Sequence, residues 1–123
     1  MQCQVLLVED DELCREIVTE FLADIDVQIT AAMDGIQALA AIEDKHFDMV
    51  LMDMIMPHMG GLEATSKIRA LVDEQRAKVP IIAITARNPT TDQELWFATG
   101  VDDFVSKPFS EVQLLDAIKP YLT

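Results

Sequence analysis

The apolar positions of this chain fall into two alternating patterns. Val5-Leu-Leu-Val8, Met49-Val-Leu-Met52 and Ile81-Ile-Ala-Ile84 are continuous apolar runs, the pattern of strands buried on both faces. Val27, Ile29 and Ala31 alternate with polar residues and predict a second strand, and Asp103-Phe-Val-Ser106 predicts a short fifth. Between the strands, apolar residues recur at helical spacing. Leu13, Ile17 and Phe21, flanked by Cys14, Val18 and Leu22, mark a first helix; Ile36, Leu39, Ala40 and Ile42 mark a second after an Asp34-Gly35 turn. Leu62, Thr65, Ile68 and Val72 mark a third, with Asp73 to Lys78 as its polar exit. A fourth spans roughly Thr91 to Thr99, with Leu95, Trp96 and Ala98 as its apolar positions and Gly100 as its stop. Ser110 and Gln113 form a capping box for a fifth helix lined by Leu114, Leu115, Ile118, Tyr121 and Leu122, which Pro120 ends or kinks.

Strands alternating with helices predict a doubly wound α/β sandwich, a five-stranded parallel sheet covered on both faces with right-handed crossovers. The length of 123 residues fits one domain, 1–123, with a single core. Apolar runs are too short to span a membrane, and no signal peptide is evident. Cys3 and Cys14 lack metal-binding spacing and are too few for a disulfide framework, which suits reduced thiols in the cytoplasm. The net charge of −13, with only 9 Lys plus Arg, disfavours direct nucleic-acid binding. Solubility accounts for the acidity without any partner.

The candidate chemistry lies where strands end. In a parallel sheet every strand's carboxyl end shares one edge, where open α/β folds bind ligands. Strand one delivers Glu9 and Asp10 there, strand three Asp53, strand four Thr85 and strand five Lys107. Taken singly, each has a plain structural role: Asp53 as a turn cap, Glu9-Asp10-Asp11 as a helix N-terminal cluster, Thr85 as a strand end, Lys107 as a surface cation. Asp11, one residue too far into the helix for the site, reads as such an N-terminal charge favoured by the helix dipole. Together, three carboxylates without a counter-charge would repel. A divalent cation resolves the repulsion, and hard oxygen ligands without His or Cys point to Mg²⁺. A carboxylate beside Mg²⁺, an ammonium and a hydroxyl is equipped for phosphoryl transfer, with Asp53 as the nucleophile that forms an aspartyl phosphate. His58 reads as a solvent-facing loop residue, and Met49, Met52, Met54, Met56 and Met59 as adaptable packing.

Val8-Glu-Asp-Asp11, Asp53-Met-Ile-Met-Pro-His-Met-Gly-Gly61, Ile84-Thr-Ala86 and Gly100-Val-Asp-Asp-Phe-Val-Ser-Lys-Pro-Phe109 occur in this order across nearly the whole chain. This ordered set resembles the receiver (CheY-like) domain of two-component response regulators. The resemblance implies a flavodoxin-like sheet of order 2-1-3-4-5. It also implies a signalling phosphoacceptor rather than an enzyme, one that assists its own phosphorylation and dephosphorylation. Asp53 would take phosphate from a phosphohistidine on a sensor histidine kinase or a histidine phosphotransfer domain. Glu9, Asp10, Asp53 and the backbone carbonyl of Ile55 would hold Mg²⁺, while Thr85 and Lys107 would bind the phosphoryl oxygens. Phe104 would be the switch aromatic that turns inward as Thr85 moves, and the Lys107–Pro108 bond would be cis. The output would be a protein target bound by helix four, strand five and helix five, with no nucleic acid and no membrane contacted.

Gly60 departs from the family pattern, and Ile55 and Arg87 stand at variable positions flanking the site. Gly60 replaces a usual Asp, which removes a charge and adds conformational freedom. Ile55 offers no side chain to position water and Arg87 adds a cation at the rim, which together predict a slowly hydrolysed phosphoaspartate; a half-life of seconds would refute this. An aspartyl hydrolase commonly has a second acid two residues after the first, where this chain has Ile55. A degenerate docking module would have lost an acid, the Thr or the Lys, and all are present. The sequence carries no second, DNA-binding domain, so it reads as a free-standing receiver or as part of a hybrid kinase, towards which the Gly100–Phe109 stretch leans.

Overall fold

A computed structural model describes residues 3–54, 56, 59–85 and 93–122, with only the backbone of Gln93. Ile55, Pro57, His58, Ala86, Arg87 and Thr91, to which the sequence assigns roles or element bounds, lie outside the described residues. In chain order the elements are β1 (Cys3–Val8), α1 (Glu12–Phe21), β2 (Val27–Ala32), α2 (Gly35–Asp44), β3 (Met49–Asp53) and α3 (Gly61–Arg69). Then follow α4 (Glu74–Ala77), β4 (Ile81–Thr85), α5 (Gln93–Thr99), β5 (Asp103–Ser106), α6 (Glu111–Ile118) and a 3-10 turn (Lys119–Tyr121).

The sheet has the expected order β2-β1-β3-β4-β5, and all four pairings are parallel. Alternate side chains of each strand feed two cores. Leu6, Val8, Val50, Met52, Ile81 and Ala83 pack with Ala38, Ile42, Ala64, Ile68 and Trp96 of α2, α3 and α5. Val5, Leu7, Met49, Leu51, Ile82 and Ile84 pack on the other face with Cys14, Val18 and Leu22, and with Leu114 and Ile118 of α6. Every residue of β3 and β4 is buried, which is why these strands read as unbroken apolar runs.

The helices differ from the sequence expectation in detail. Six α-helices appear among the described residues rather than five, because Asp73–Lys78 holds a one-turn helix instead of a polar exit. Asp73 caps it by accepting from the amides of Gln75 and Arg76. The Arg76 amide and guanidinium, with the Gln75 amide, hold Asp73 below the usual carboxylate range. α3 therefore stops at Arg69, and Val72, expected on its inner face, lies in the turn with 99% of its surface exposed. The buried stripe of α1 is Cys14 and Val18, whereas Leu13 is 63% exposed. On α2 it is Gly35, Ala38 and Ile42, whereas Ile36 faces solvent. Asp34 is the N-cap of α2, accepting from the Gln37 amide at 2.9 Å, so the expected turn is a helix start. Gly100 does close α5, at φ 122°, and Pro120 marks the change from α6 to the 3-10 turn.

Candidate functional site

Strand register sets the site. Val8 lies opposite Met52, Asp53 opposite Ile84 and Thr85 opposite Ser106. The residues at or just past these ends, Glu9, Asp10, Asp53, Thr85 and Lys107, thus come to one edge of the sheet. Glu9, Asp53 and Thr85 are buried, and Asp10 is exposed at the mouth. Asp11, expected as an acid within the first turn of the helix, is instead the N-cap of α1, its carboxylate accepting from the Leu13 amide at 3.1 Å.

The Lys107 ammonium donates to Glu9 Oε2 at 3.0 Å and lies 3.7 Å from Asp53 Oδ2. Burial works to lower the Lys107 pKa, but the hydrogen bond to Glu9 and the charges of Asp53 and Glu9 outweigh it and raise the pKa above its usual value. The second Glu9 oxygen, Oε1, accepts from the Asp11 amide at 3.2 Å. The Glu9 amide donates to Ala32 at 3.0 Å and the Lys107 amide to Thr85 at 2.6 Å, so neighbouring strands hold the backbone beneath the charged groups. The Lys107–Pro108 bond is cis.

Carboxylate oxygens of Glu9, Asp10 and Asp53 lie within 4.8 Å of one another. One exposed acid and two buried ones, all hard oxygen donors with a single ammonium beside them, fit Mg²⁺. The carbonyl of Ile55 lies outside the described residues, so this set contains side chains only. One of these carboxylates, Glu9, also acts on the Cys14 thiol. Burial first, and then the Glu9 charge, push it up to about 11. Cys14 lines a cavity of about 420 Å³ with Leu13, Ile17, Lys107 and Phe109, opening beside the ammonium. Phe104 is half-buried on β5, in register with Ala83, and its ring centroid is 6.3 Å from that of Phe97 on α5.

The loop after Asp53 is held tightly where it enters α3. A Cβ on Gly61 would lie 2.5 Å from the Asp53 carbonyl oxygen and 2.8 Å from Met54 Cα. Gly60 is the N-cap of α3 at φ −73°, a conformation open to any residue, so the extra freedom expected of it is not used. Nothing in the sequence pattern marks Arg15 as part of the site. Its guanidinium donates to the Glu9 carbonyl at 2.9 Å, and a backbone oxygen leaves no mark in a sequence.

The profile of the response regulator receiver domain matches residues 5–119. The chain belongs to this family. Over 121 residues the receiver domain is 40% identical to the transcription factor prr1 of Schizosaccharomyces pombe, covering 98% of this chain and 22% of that protein. It is 35% identical over 116 residues to the sensor protein GacS of Pseudomonas syringae, covering 94% of this chain and 13% of that one. The chain thus spans about a fifth of the first relative's length and less of the second's. Among solved structures, the receiver domain of sensor histidine kinase PA1611 from Pseudomonas aeruginosa is 33% identical, with a TM-score of 0.88 over 98% of each chain. That structure has a magnesium ion coordinated in its active-site cleft. Chemotaxis protein CheY4 of Vibrio cholerae is 28% identical, with a TM-score of 0.90 over 99% of this chain and 100% of that one. The receiver domain is therefore a phosphoacceptor module of two-component signalling with the CheY-like fold. No described helix is long and apolar enough to cross a membrane.

Proposed function

We propose that this receiver domain accepts a phosphoryl group on Asp53 from a phosphohistidine, in a Mg²⁺-dependent step, and signals through a protein-binding face. The observation that carries the reading is Lys107, whose ammonium sits 3.0 Å from Glu9 and 3.7 Å from Asp53 beside the Asp10 carboxylate. Glu9, Asp10 and Asp53 would hold Mg²⁺, with the carbonyl of Ile55. When bound, the metal supplies charge neutralisation on the phosphoryl oxygens. An oxygen of Asp53 attacks phosphorus, the P–N bond breaks, and its electron pair leaves on the imidazole nitrogen, which takes up a proton. Lys107 stabilises charge on the equatorial oxygens, and the Thr85 hydroxyl donates to one of them.

In this reading the donor is a sensor histidine kinase or a histidine phosphotransfer domain, and the setting is cytoplasmic. The domain is a switch rather than an enzyme, though it assists its own phosphorylation and dephosphorylation. The output face is α5-β5-α6, the fourth-helix, fifth-strand and fifth-helix face of the sequence reading. It carries exposed Leu95, Phe97 and Val112 around half-buried Phe104. Phosphorylation would bias two packings of Phe104 and Thr85. Incubation with Mg²⁺ and a small phosphodonor, read by intact mass, should show one added phosphoryl group that Asp53→Asn abolishes. No addition to the wild type, or the same addition to Asp53→Asn, overturns the reading.

A further inference from the structure

Arg15 occupies the fourth position of α1 after its cap at Asp11. A cation there faces the positive end of the helix dipole, which disfavours it, and the last turn of α1 carries no basic residue at all. Among the described residues Arg15 forms no ion pair, although Glu12 and Glu16 flank it in sequence. What it does form is the 2.9 Å hydrogen bond back to the Glu9 carbonyl oxygen.

That oxygen belongs to the Glu9–Asp10 peptide unit. The unit is planar, so holding its oxygen fixes the plane and the direction in which the Asp10 Cα leaves it. The remaining polar groups of Glu9 are also held, the amide by Ala32, Oε1 by the Asp11 amide and Oε2 by Lys107. Lys107 thus secures the Glu9 side chain from β5, and Arg15 secures the backbone between the two acids from α1. Asp10 is exposed, so its orientation depends on that backbone more than on packing.

We propose that Arg15 is a positioning residue for the Glu9–Asp10 carboxylate pair, acting through the Glu9 carbonyl to present both acids to a divalent cation. The assignment rests on the proposed metal-dependent phosphoacceptor role. Positioning and electrostatics predict opposite signs. Removing a nearby cation should tighten Mg²⁺ binding by relieving repulsion, whereas releasing the peptide plane should weaken it.

The test is calorimetric titration of the purified protein with Mg²⁺ alone, together with amide exchange in the metal-free state. Arg15→Met should weaken Mg²⁺ binding at least threefold. Arg15→Lys, which keeps a donor and the charge, should recover most of the loss. In the metal-free protein the Asp11 amide should exchange faster in Arg15→Met than in Arg15→Lys, while amides in the centre of β3 stay unchanged. Equal or tighter Mg²⁺ binding by Arg15→Met overturns the proposal, as does failure of Arg15→Lys to differ from it. Should Arg15→Met not fold, Arg15→Leu removes the same charge and the same donor and is judged by the same sign. A wild type that takes no phosphate while Arg15→Met still weakens Mg²⁺ binding would sink the phosphoacceptor reading and leave the positioning role standing.

Discussion

Two partly buried cations sit at opposite edges of the same sheet and are held in opposite ways. Arg69, the last residue of α3, donates to Gly100 through Nε at 3.0 Å and Nη2 at 2.7 Å. It also donates to the carbonyls of Ala77 and Val79, each at 2.7 Å, and to Asp102 at 3.0 Å. Asp102 in turn accepts from the amide of Ile81, where β4 begins. Lys107 at the other edge is held by two carboxylates, those of Glu9 and Asp53. Burial works against the charge in both cases. It wins at Arg69, whose pKa falls because most partners are neutral carbonyls and Asp102 offsets only part of the loss. It loses at Lys107, whose pKa rises. A cation bonded mainly to carbonyls joins parts of the fold, whereas one held by carboxylates can exchange them for an incoming anion.

Substitution should break this contrast most visibly. Arg69→Met leaves the partly buried carbonyls of Gly100, Ala77 and Val79 without this donor and should cost about 3 kcal/mol in urea denaturation, unrelieved by Mg²⁺. Lys107→Met leaves carboxylates facing one another. It should lose stability that Mg²⁺ restores through linkage, and its phosphoryl incorporation should fall at least tenfold. Equal rescue of both variants by Mg²⁺ would erase the distinction.

Next in size is Gly100→Ala. Its φ of 122° and a Cβ 2.8 Å from Arg69 Cγ and Nε give two reasons for glycine. The cost should be about 2 kcal/mol and should shrink when combined with Arg69→Met, because part of it is a clash with that side chain.

Alkaline titration should show a third difference. The Lys107 pKa is raised on folding, so its contribution is complete below the ordinary 10.5 and disappears as pH rises through the folded value. The Cys14 thiol, raised from 9.0 to about 11, follows the same sign, with stability declining as pH climbs between those values. Cys14→Ala should flatten the stability profile between these two limits, and Lys107→Met should flatten it above 10.5. The smallest effect belongs to Gly60→Asp. Among the described residues a Cβ there meets only the Met54 carbonyl, at 3.5 Å, and a side-chain cap on α3 should add on the order of 0.3 kcal/mol, measured as a rise in Tm.

Much of this was legible in the sequence, and what was missed has physical causes. β3 and β4 are buried on both faces, so their runs needed no periodicity. Acids and a lysine at strand ends became a site once parallel order placed those ends together. The helices were harder, because α1 and α2 leave Leu13 and Ile36 in solvent and an apolar residue can sit on either side of a stripe. α4 is a single turn, too short for any period, although Asp73 with Arg76 three residues on was a readable cap. Arg69 and Arg15 were invisible for a common reason. Their partners are mainly backbone carbonyls, which every residue has.

The turn that exposes Val72 also makes the molecule easy to watch. Cys3 and Cys14 are both buried, so thiol-reactive dyes should label the native protein slowly. Val72→Cys would place one accessible thiol beyond the end of α3, at the sheet edge opposite Asp53. A fluorophore there reports tumbling and partner association without touching the phosphoacceptor, and Trp96 on α5 remains as an independent signal from within the fold.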